Sequence, residues 1–539
     1  MFKFNFLLGI AMLCQVSLAQ YVKPREIDFE ISRPYEVVDA QTKEYFYHED
    51  YVFSIKIQKK NIVVQKFDSK DMKPVFMREL PKPKVDEVEG IFQFGDRFLF
   101  FYNVYNRGRK SEQLYYREIS FDRGTWKGAP KMLVSTDGKV GGDIATVNSF
   151  WGGFKKVNKF GIQFSKDRSR MLVHYRMVPE IKNDKKSYDI IGLHVFDREM
   201  KSVWGEEVEM PYTEKQMNNI DYSVDSESNA YILSTVLDDQ NGDTKSKRDI
   251  PEYHIELLKK EPRSSELAIS RLELGEKFIR TAWLYESPED KMVCAGYYGN
   301  EKRSRGVDGV FYMKVDMSGK LYDSHEYEIP VSILNQYVSK RTRKKNNKKD
   351  DDGEAQFYNL KLRNLKFYED GSILLIGEQH YIVENTSRTG NMTTTSYTYY
   401  YNDILATKID ASGELSWMIK LPKRQRGGAG TGSMSYKHYF KNGYHYFMFI
   451  DNVKNQNLPI DEAPSYHIDK TFGFLTTFIV DDRDGTSTNQ TILDMKDADG
   501  MKLYQFAPSR TVQVGEDEFL FEAYKKKKED VMVKIRLKS

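Results

Sequence analysis

The sequence predicts an all-β fold, a β-propeller of about eight four-stranded blades, and three observations support this prediction. Aromatic residues make up 14% of the 539 residues, with 36 Tyr and 32 Phe, and these residue types favour strands. A pair of β-hairpin patterns recurs along the chain, which is typical of repeat architectures. A spare strand pattern precedes the repeats, and a strand is missing at their end.

The first hairpin of each repeat consists of an apolar strand, a tight polar turn and a second apolar strand. A clear copy is FQFGDRFLFFYNVY at residues 92–105, where Gly permits the positive φ of a tight turn. Eight such hairpins begin near residues 44, 92, 162, 222, 282, 364, 437 and 511. Seven blades would result if one hairpin were miscounted, and a pair of β-sandwiches is a third interpretation.

The two ends of the repeat array complement each other. Residues 26–34, EIDFEISRP, have the pattern of a fourth strand, while the last repeat ends after its third strand at residues 531–537. We expect these segments to pair and to close the ring, because closure removes sheet edges that would otherwise invite aggregation. Residues 20–539 are therefore predicted to form a single domain.

The second hairpin is most regular in two repeats, DGVFYMKVDMSGKLYD at 308–323 and DILATKIDASGELSW at 403–417. These segments resemble the repeats of bacterial secreted β-propeller proteins. The resemblance implies that Asp410, Gly413 and Trp417 are turn and packing residues, and it implies no activity.

Residues 1–19 are predicted to be a signal peptide. Lys3 precedes an apolar run at 6–13, and the small residues Ser17 and Ala19 follow it, which is the pattern of cleavage after Ala19. A buried N-terminal strand is the alternative. Cleavage would leave Cys294 as the sole cysteine, so no intrachain disulfide could form. We expect a bacterial periplasmic or cell-surface protein, and no later apolar run is long enough to predict a membrane span.

The charges of the chain are balanced, with 82 Lys and Arg against 79 Asp and Glu, a net charge of +3. Such a balance argues against nucleic acid as the partner of the whole chain. The most charged segment, RTRKKNNKKDDDGEAQ at 341–356, is predicted to be a disordered insert between blades. A local patch for nucleic acid or membrane is the alternative interpretation of this segment.

No motif of the sequence predicts a catalytic centre, a metal site or a cofactor. Residues 120–126 nearly match the Asp-box turn of sialidases but are one residue short, and GGAGTGSMS at 427–435 lacks the Gly-Lys-Ser/Thr of a phosphate-binding loop. The acidic turns at 481–485 and 497–500 do not complete a Ca²⁺-binding loop. The nine His residues are scattered.

Loop lengths predict a binding face. The turns between strands 1 and 2 are short, whereas the loops between strands 2 and 3 and the connections between blades are long. One of these predicted loops is the Thr- and Tyr-rich segment at 383–402, and long loops are often functional. Arg and aromatic residues, which are enriched at interfaces, recur on this long-loop face. The candidate binding residues are Arg107, Arg109, Trp151, Arg303, Arg305, Tyr399, Tyr400, Arg424 and Arg426.

These observations predict a non-enzymatic binding or scaffolding protein of the periplasm or cell surface, with an envelope protein or a glycan as its partner. The alternative is a propeller-type polysaccharide hydrolase or lyase with its site at the mouth of the channel. Converging carboxylates in a deep channel pocket would favour the enzyme.

The export hypothesis predicts that the mature protein begins at Gln20, because Ser17 and Ala19 have the small side chains that signal peptidase accepts. The intact mass of protein purified from its native envelope measures this directly. A retained N-terminus, or a lipid on Cys14, would contradict the prediction.

Overall fold

A computed structural model describes residues 27–40, 42–141, 158–179, 186–238, 252–287, 292–301, 304–390, 392–428 and 433–538. The predicted signal peptide lies outside these residues. The described chain is mostly β-structure, arranged in successive antiparallel sheets. It begins with β1 (Ile27–Ile31) and the short β2 (Tyr35–Glu36).

Four sheets follow in chain order, each formed from four consecutive strands. Sheet 1 contains β3 (Thr42–His48), β4 (Tyr51–Ile57), β5 (Asn61–Asp68) and β6 (Pro74–Pro81). Sheet 2 contains β7 (Glu87–Phe94), β8 (Arg97–Asn106), β9 (Ser111–Ile119) and β10 (Trp126–Ser135). Sheet 3 contains β11 (Gly161–Phe164), β12 (Arg170–Arg176), β13 (Tyr188–Asp197) and β14 (Ser202–Thr213). Sheet 4 contains β15 (Met217–Val224), β16 (Ala230–Leu237), β17 (Tyr253–Lys260) and β18 (Leu267–Leu272).

The second half of the chain adds two helices and several short strands to the same pattern. Sheet 5 contains β19 (Phe278–Glu286), β20 (Met292–Gly299), β22 (Gly309–Val315) and β23 (Leu321–Glu328), and β21 (Gly306–Val307) lies between β20 and β22. Helices α1 (Val331–Leu334) and α2 (Lys340–Asp351) follow, and then β24 (Phe357–Tyr358), which pairs with β21. Sheet 6 contains β25 (Leu360–Phe367), β26 (Ile373–Thr389), β27 (Met392–Ile409) and β28 (Leu415–Leu421), extended by β29 (Gln425–Gly427) and β32 (His467–Ile468).

The last two sheets complete the series. Sheet 7 contains β30 (Lys437–Lys441), β31 (Tyr444–Asp451), β33 (Phe474–Asp481) and β34 (Ser487–Asp494). Sheet 8 contains β35 (Thr511–Gln513), β36 (Glu518–Lys526) and β37 (Glu529–Leu537) together with β1 and β2 from the other end of the chain. Single 3₁₀ turns lie at Val453–Asn455 and Pro508–Arg510.

Burial explains why the second strand of each repeat was easier to recognise in the sequence than the fourth strand. Every residue of the second strand β20 is buried, whereas most residues of the fourth strand β10 are exposed. Second strands lie between the neighbouring sheets and are covered on both faces, so they appear as uninterrupted apolar runs. Fourth strands lie on the outside, and their sequences are accordingly more variable in polarity.

Successive sheets pack face to face through apolar side chains. Phe53 of sheet 1 contacts Phe98 of sheet 2 with ring centroids 4.7 Å apart, and Tyr439 of sheet 7 stacks on Phe519 of sheet 8 at 4.2 Å. A shared cluster of buried residues lies between every two consecutive sheets, and one further cluster joins sheet 8 to sheet 1. The core is therefore divided into layers between sheets.

The turn residues implied by the resemblance have the expected roles. Asp410 Oδ1 accepts hydrogen bonds from the backbone N–H groups of Ser412 (2.9 Å) and Glu414 (3.0 Å). Gly413 has φ +92°, a conformation that residues with a Cβ rarely adopt. Trp417 is buried, and its indole donates to the carbonyl of Asp482 at 2.8 Å.

The prediction of a disordered insert at 341–356 is wrong for most of that segment, because α2 spans Lys340–Asp351. Lys and Arg have high helix propensity, and Ser339 caps the helix by accepting from the backbone N–H of Thr342 at 3.2 Å. Charge density alone suggested disorder, but these local preferences and a contact with α1 favour a helix.

The Thr- and Tyr-rich segment expected to be a long loop is instead a β-hairpin. Strands β26 and β27 pair antiparallel from Ile373↔Ile409 to Thr389↔Met392, with one register shift between Glu378 and His380. β-branched and aromatic residues favour strands, so this composition is explained by the hairpin.

The two chain ends meet in sheet 8. β1 pairs antiparallel with β37, from Ile27↔Leu537 to Ile31↔Val533, as the sequence predicted for these segments. Beside this pairing, the buried carboxylate of Glu522 accepts from Lys56 Nζ (2.5 Å), Tyr45 Oη (2.6 Å) and Lys43 Nζ (3.0 Å). Although burial alone would raise the pKa of Glu522, the neighbouring Lys56 and Lys43 ammonium groups hold it well below its usual range.

Replacing Glu522 with Ala should destabilise the fold by about 3–5 kcal/mol, because it removes the buried carboxylate that pairs with both Lys56 and Lys43. Urea unfolding of the purified protein measures the change in free energy of unfolding. Glu516→Ala is the matched control, since Glu516 is exposed in the turn after β35, and it should change stability by less than about 0.5 kcal/mol. Equal stability of the two variants would contradict this account of the junction.

Candidate functional site

The first strands of sheets 3 to 6 border a pocket of about 290 Å³, here called the inner pocket. These strands are β11, β15, β19 and β25, and each lies at the end of its sheet, where it pairs with one neighbour only. Their free edges carry backbone N–H and C=O groups that the sheets do not use. The inner pocket is therefore surrounded by both backbone and side-chain hydrogen-bonding groups.

The lining of the inner pocket combines aromatic and polar side chains. Its aromatic residues are Phe164, Tyr222, Trp283 and Tyr285. Its polar residues are Gln163, Asp221, Ser223, Arg363 and Asn364, and Leu284, Leu362 and Leu365 complete the wall. Tyr285 stacks on Phe367 with ring centroids 5.1 Å apart and an interplanar angle of 15°, which fixes the orientation of its ring.

Asp221 is the one carboxylate among the lining residues. Its Oδ2 accepts from the backbone N–H of Leu284 at 2.9 Å, so it joins β15 to β19. Burial raises the pKa of Asp221 to about 7, because desolvation disfavours the charged form. At neutral pH a substantial fraction of this carboxyl group is protonated.

Arg363 supplies the positive charge of the inner pocket. Its Nε donates to Glu378 at 3.0 Å, and Glu378 is also paired with Lys423 Nζ at 2.8 Å. The Nη groups of Arg363 form no hydrogen bond with any residue that the structure describes. Arg363 is thus fixed through one side of its guanidinium group, and its remaining donors are available.

Three more polar side chains of the inner pocket are uncommitted. Gln163, Ser223 and Asn364 each line the pocket, and none of their side chains has a hydrogen-bond partner within the described ranges. They belong to three different sheets, yet they converge on one cavity. Such side chains can donate to and accept from a ligand without breaking a protein contact.

Short turns support the rim of the inner pocket. The carboxylate of Glu286 accepts from the backbone N–H groups of Lys166 and Ser226, both at 2.8 Å. These two residues lie in the turns after β11 and β15, so Glu286 fixes the turns of sheets 3, 4 and 5 relative to one another. The pocket residues of β11, β15 and β19 are near these turns, on the opposite side from the predicted long-loop face.

Among the residues that the structure describes, the candidate binding residues of the long-loop face do not form one site. Arg107 and Arg109 are exposed in the turn between β8 and β9, and Arg305 is exposed before β21 in sheet 5. Trp151 and Arg303 lie outside the described residues. Tyr399 is buried at 4% exposure, so its expected role as surface aromatic is wrong.

Three of the candidate residues do come together, around Tyr466. The guanidinium groups of Arg424 and Arg426 lie 4.3 Å and 5.3 Å from the centroid of the Tyr466 ring. Tyr400 contacts the same ring edge-on at 5.9 Å and stacks on Tyr381 at 4.6 Å. Pairing of β27 with β29 produces this arrangement, because it places Tyr400 opposite Arg426.

Sequence reasoning missed the inner pocket because its residues lie in four segments that are about 60 to 80 positions apart along the chain and follow no motif. The weak signal was a carboxylate at the start of a predicted first strand, because Asp221 directly precedes the hairpin predicted from residue 222. Within the described ranges, no cluster of three or more His, Cys, Asp and Glu side chains suited to a metal ion was found. In the same ranges, none of the helices has the length and apolar character needed to cross a membrane.

No protein-family model and no curated protein matches this sequence. A solved prolyl endopeptidase structure aligns with 93% of this chain at 8% identity and a TM-score of 0.38, and the chain spans 55% of that protein. The β-propeller domain of the Trilobed protease from Pyrococcus furiosus aligns with 85% of this chain and 97% of its own length, at 9% identity and a TM-score of 0.33. The WD40 domain of SCAP from fission yeast aligns with 95% of this chain and 98% of its own length, at 9% identity and a TM-score of 0.37.

All three TM-scores lie below 0.5, so these similarities carry no argument about this chain. At these identities and scores the similarity assigns no activity, substrate or partner.

The raised pKa of Asp221 predicts a specific pH dependence of stability. Between about pH 4 and about pH 7 the folded protein keeps the Asp221 proton that the unfolded chain loses, so stability should fall as pH rises. Each pKa unit corresponds to about 1.4 kcal/mol, and the total for this group is therefore a few kcal/mol. Asp221→Asn should remove this component, so its stability relative to wild type should improve from pH 4 to pH 8, as measured by urea unfolding at each pH. Parallel pH profiles for the two proteins would contradict the prediction.

Proposed function

We propose that this protein is an exported, non-enzymatic binding protein of the bacterial periplasm or cell surface, built as a closed ring of eight blades. We propose further that it binds a saccharide unit of a glycan in the inner pocket. The convergence of uncommitted polar side chains with aromatic walls in that pocket is the observation that carries the proposal.

Two observations support the closed ring of eight. The buried clusters between consecutive sheets run from sheet 1 to sheet 8, and one more cluster joins sheet 8 to sheet 1 through residues such as Tyr45, Val52 and Leu520. β1 and β37 add strand pairing at the same junction. In such a ring the first strands all face a central channel, and the inner pocket is part of that channel.

The chemistry of the pocket fits a sugar. A saccharide has apolar C–H faces and several hydroxyl groups that both donate and accept hydrogen bonds. Tyr222, Trp283 and Tyr285 offer aromatic surface, while Gln163, Ser223 and Asn364 offer groups that donate and accept. A predominantly concave site with a few polar groups is typical of small-ligand binding.

The same pocket argues against the hydrolase alternative. Most glycoside hydrolases use a pair of carboxyl groups about 5–9.5 Å apart, whereas Asp221 is the one carboxylate among the lining residues. Asp221 is also engaged with the backbone of β19. Its pKa of about 7 would suit a general acid. The enzyme alternative can therefore be tested by replacing Asp221.

Binding should weaken about fivefold or more when Gln163 and Asn364 are both replaced with Ala, because each lost hydrogen bond costs about 0.5–1.5 kcal/mol. Isothermal titration with a panel of neutral, amino and uronic acid oligosaccharides measures the affinity. The fold should be retained, since neither side chain bonds to another described residue.

Asn300→Ala is the control, because Asn300 is exposed and is not part of the pocket. No binding by any saccharide of the panel, or equal binding by the double variant, would contradict the proposal. Shortened oligosaccharides that appear with the wild type but not with Asp221→Asn would establish the hydrolase or lyase instead.

A further inference from the structure

Helix α2 carries an unusual density of positive charge. Its sequence KRTRKKNNKKDD contains seven Lys and Arg residues, and none of its residues is buried. Lys340 and Arg341 in the first turn oppose the helix dipole, which disfavours cations at that end. The helix is therefore not optimised for its own stability, and its charge calls for another explanation.

One side of α2 is attached to the rest of the protein. The Asn335 side chain at the end of α1 bonds to Asn346 (3.0 Å) and Asn347 (2.5 Å). Arg343 Nη2 donates to the backbone carbonyl of Asn335 at 3.5 Å. The backbone N–H of Tyr337, between the helices, donates to the carbonyl of Ile460 at 2.6 Å. The contacts of Arg343, Asn346 and Asn347, which lie on one side of α2, thus set the orientation of the helix.

The opposite side of α2 is a row of four exposed cations. Arg341, Lys344, Lys345 and Lys348 follow the i, i+3, i+4, i+7 spacing of a single helix face. All four are exposed, and none forms an ion pair or hydrogen bond with any residue that the structure describes. Like charges at this spacing repel one another. Within the described chain no acidic side chain pairs with the row to offset this repulsion.

We propose that this face of α2 docks the protein on the surface of a bilayer containing anionic phospholipid. Clusters of four to eight Lys and Arg residues on a helix are attracted to anionic headgroups. The row extends over about 10 Å, seven residues at about 1.5 Å each, and a flat anionic surface meets all four cations at once. Because α2 has no apolar residue, the contact is peripheral and depends on charge.

A membrane fits this face better than nucleic acid does. No aromatic residue lies among the four cations, and single-stranded nucleic acid is usually bound by aromatic stacking beside the positive groove. The predicted export would also keep the protein away from nucleic acid. Asp350 and Asp351 lie at the C-terminal end of α2, beyond the four cations.

The test is co-sedimentation with vesicles of phosphatidylcholine alone or mixed with phosphatidylglycerol. Wild type should bind the mixed vesicles only, and raising the salt from about 0.05 M to about 0.5 M should release it, because screening lengths shorten. The variant Arg341→Glu, Lys345→Glu, Lys348→Glu should lose at least tenfold in affinity. Its melting temperature should be unchanged, since none of the replaced side chains is buried.

A matched control variant replaces one Arg and two Lys at the opposite end of the sheets, Arg123→Glu, Lys201→Glu and Lys320→Glu. These residues are exposed in turns between third and fourth strands, and their reversal should leave vesicle binding unchanged. Equal losses in both variants would show that net charge, and not α2, governs binding, which would overturn the proposal. Failure of wild type to bind mixed vesicles would also overturn the proposal. If wild type then bound a DNA duplex and the α2 variant did not, nucleic acid would be identified as the partner. None of these outcomes depends on the inner pocket.

Discussion

The carboxylate of Glu522 joins the last sheet to the first, and the apolar face that sheet 1 turns away from sheet 2 is buried at this junction. Each sheet has two apolar faces, so sheet 1 would expose one of them if sheet 8 did not cover it. Glu522 accepts from Lys43, Tyr45 and Lys56 at this junction. Buried ion pairs compensate for desolvation only when every bond is formed. The junction therefore requires one register between the first and last sheets, which apolar contact alone would not impose.

The stacking of sheets also explains why a polar pocket can exist inside an all-β protein. Apolar faces are buried between sheets, and the first strand of each sheet is left with a free edge. Positions beside that edge do not contribute to the core. They can therefore be occupied by polar residues such as Gln163, Ser223 and Asn364. The burial of Asp221 among them raises its pKa to about 7, which links the chemistry of the pocket to the stability of the fold.

The inner pocket and helix α2 lie toward different ends of the sheets. The pocket is near the turns that follow the first strands, whereas α2 belongs to the connection between β23 and β25, at the other end. A protein docked through α2 would hold the pocket side away from the bilayer. Binding of a glycan and attachment to a surface would then be compatible, because neither contact covers the other.

The sequence by itself determined the β class, the repeated hairpins and the pairing of β1 with β37, because strand periodicity and turn chemistry are local properties. It implied the roles of Asp410, Gly413 and Trp417 through the resemblance of its repeats to those of secreted β-propeller proteins. It misjudged α2 and the β26–β27 hairpin, where composition suggested irregular structure but propensity and long-range pairing prevailed. Only the tertiary structure decided which polar residues converge in the inner pocket, and it left Arg107 and Arg109 of sheet 2 apart from Arg305 of sheet 5. The pocket could not be predicted because its members come from four first strands, and their approach is set by how neighbouring sheets pack, which no spacing along the chain encodes.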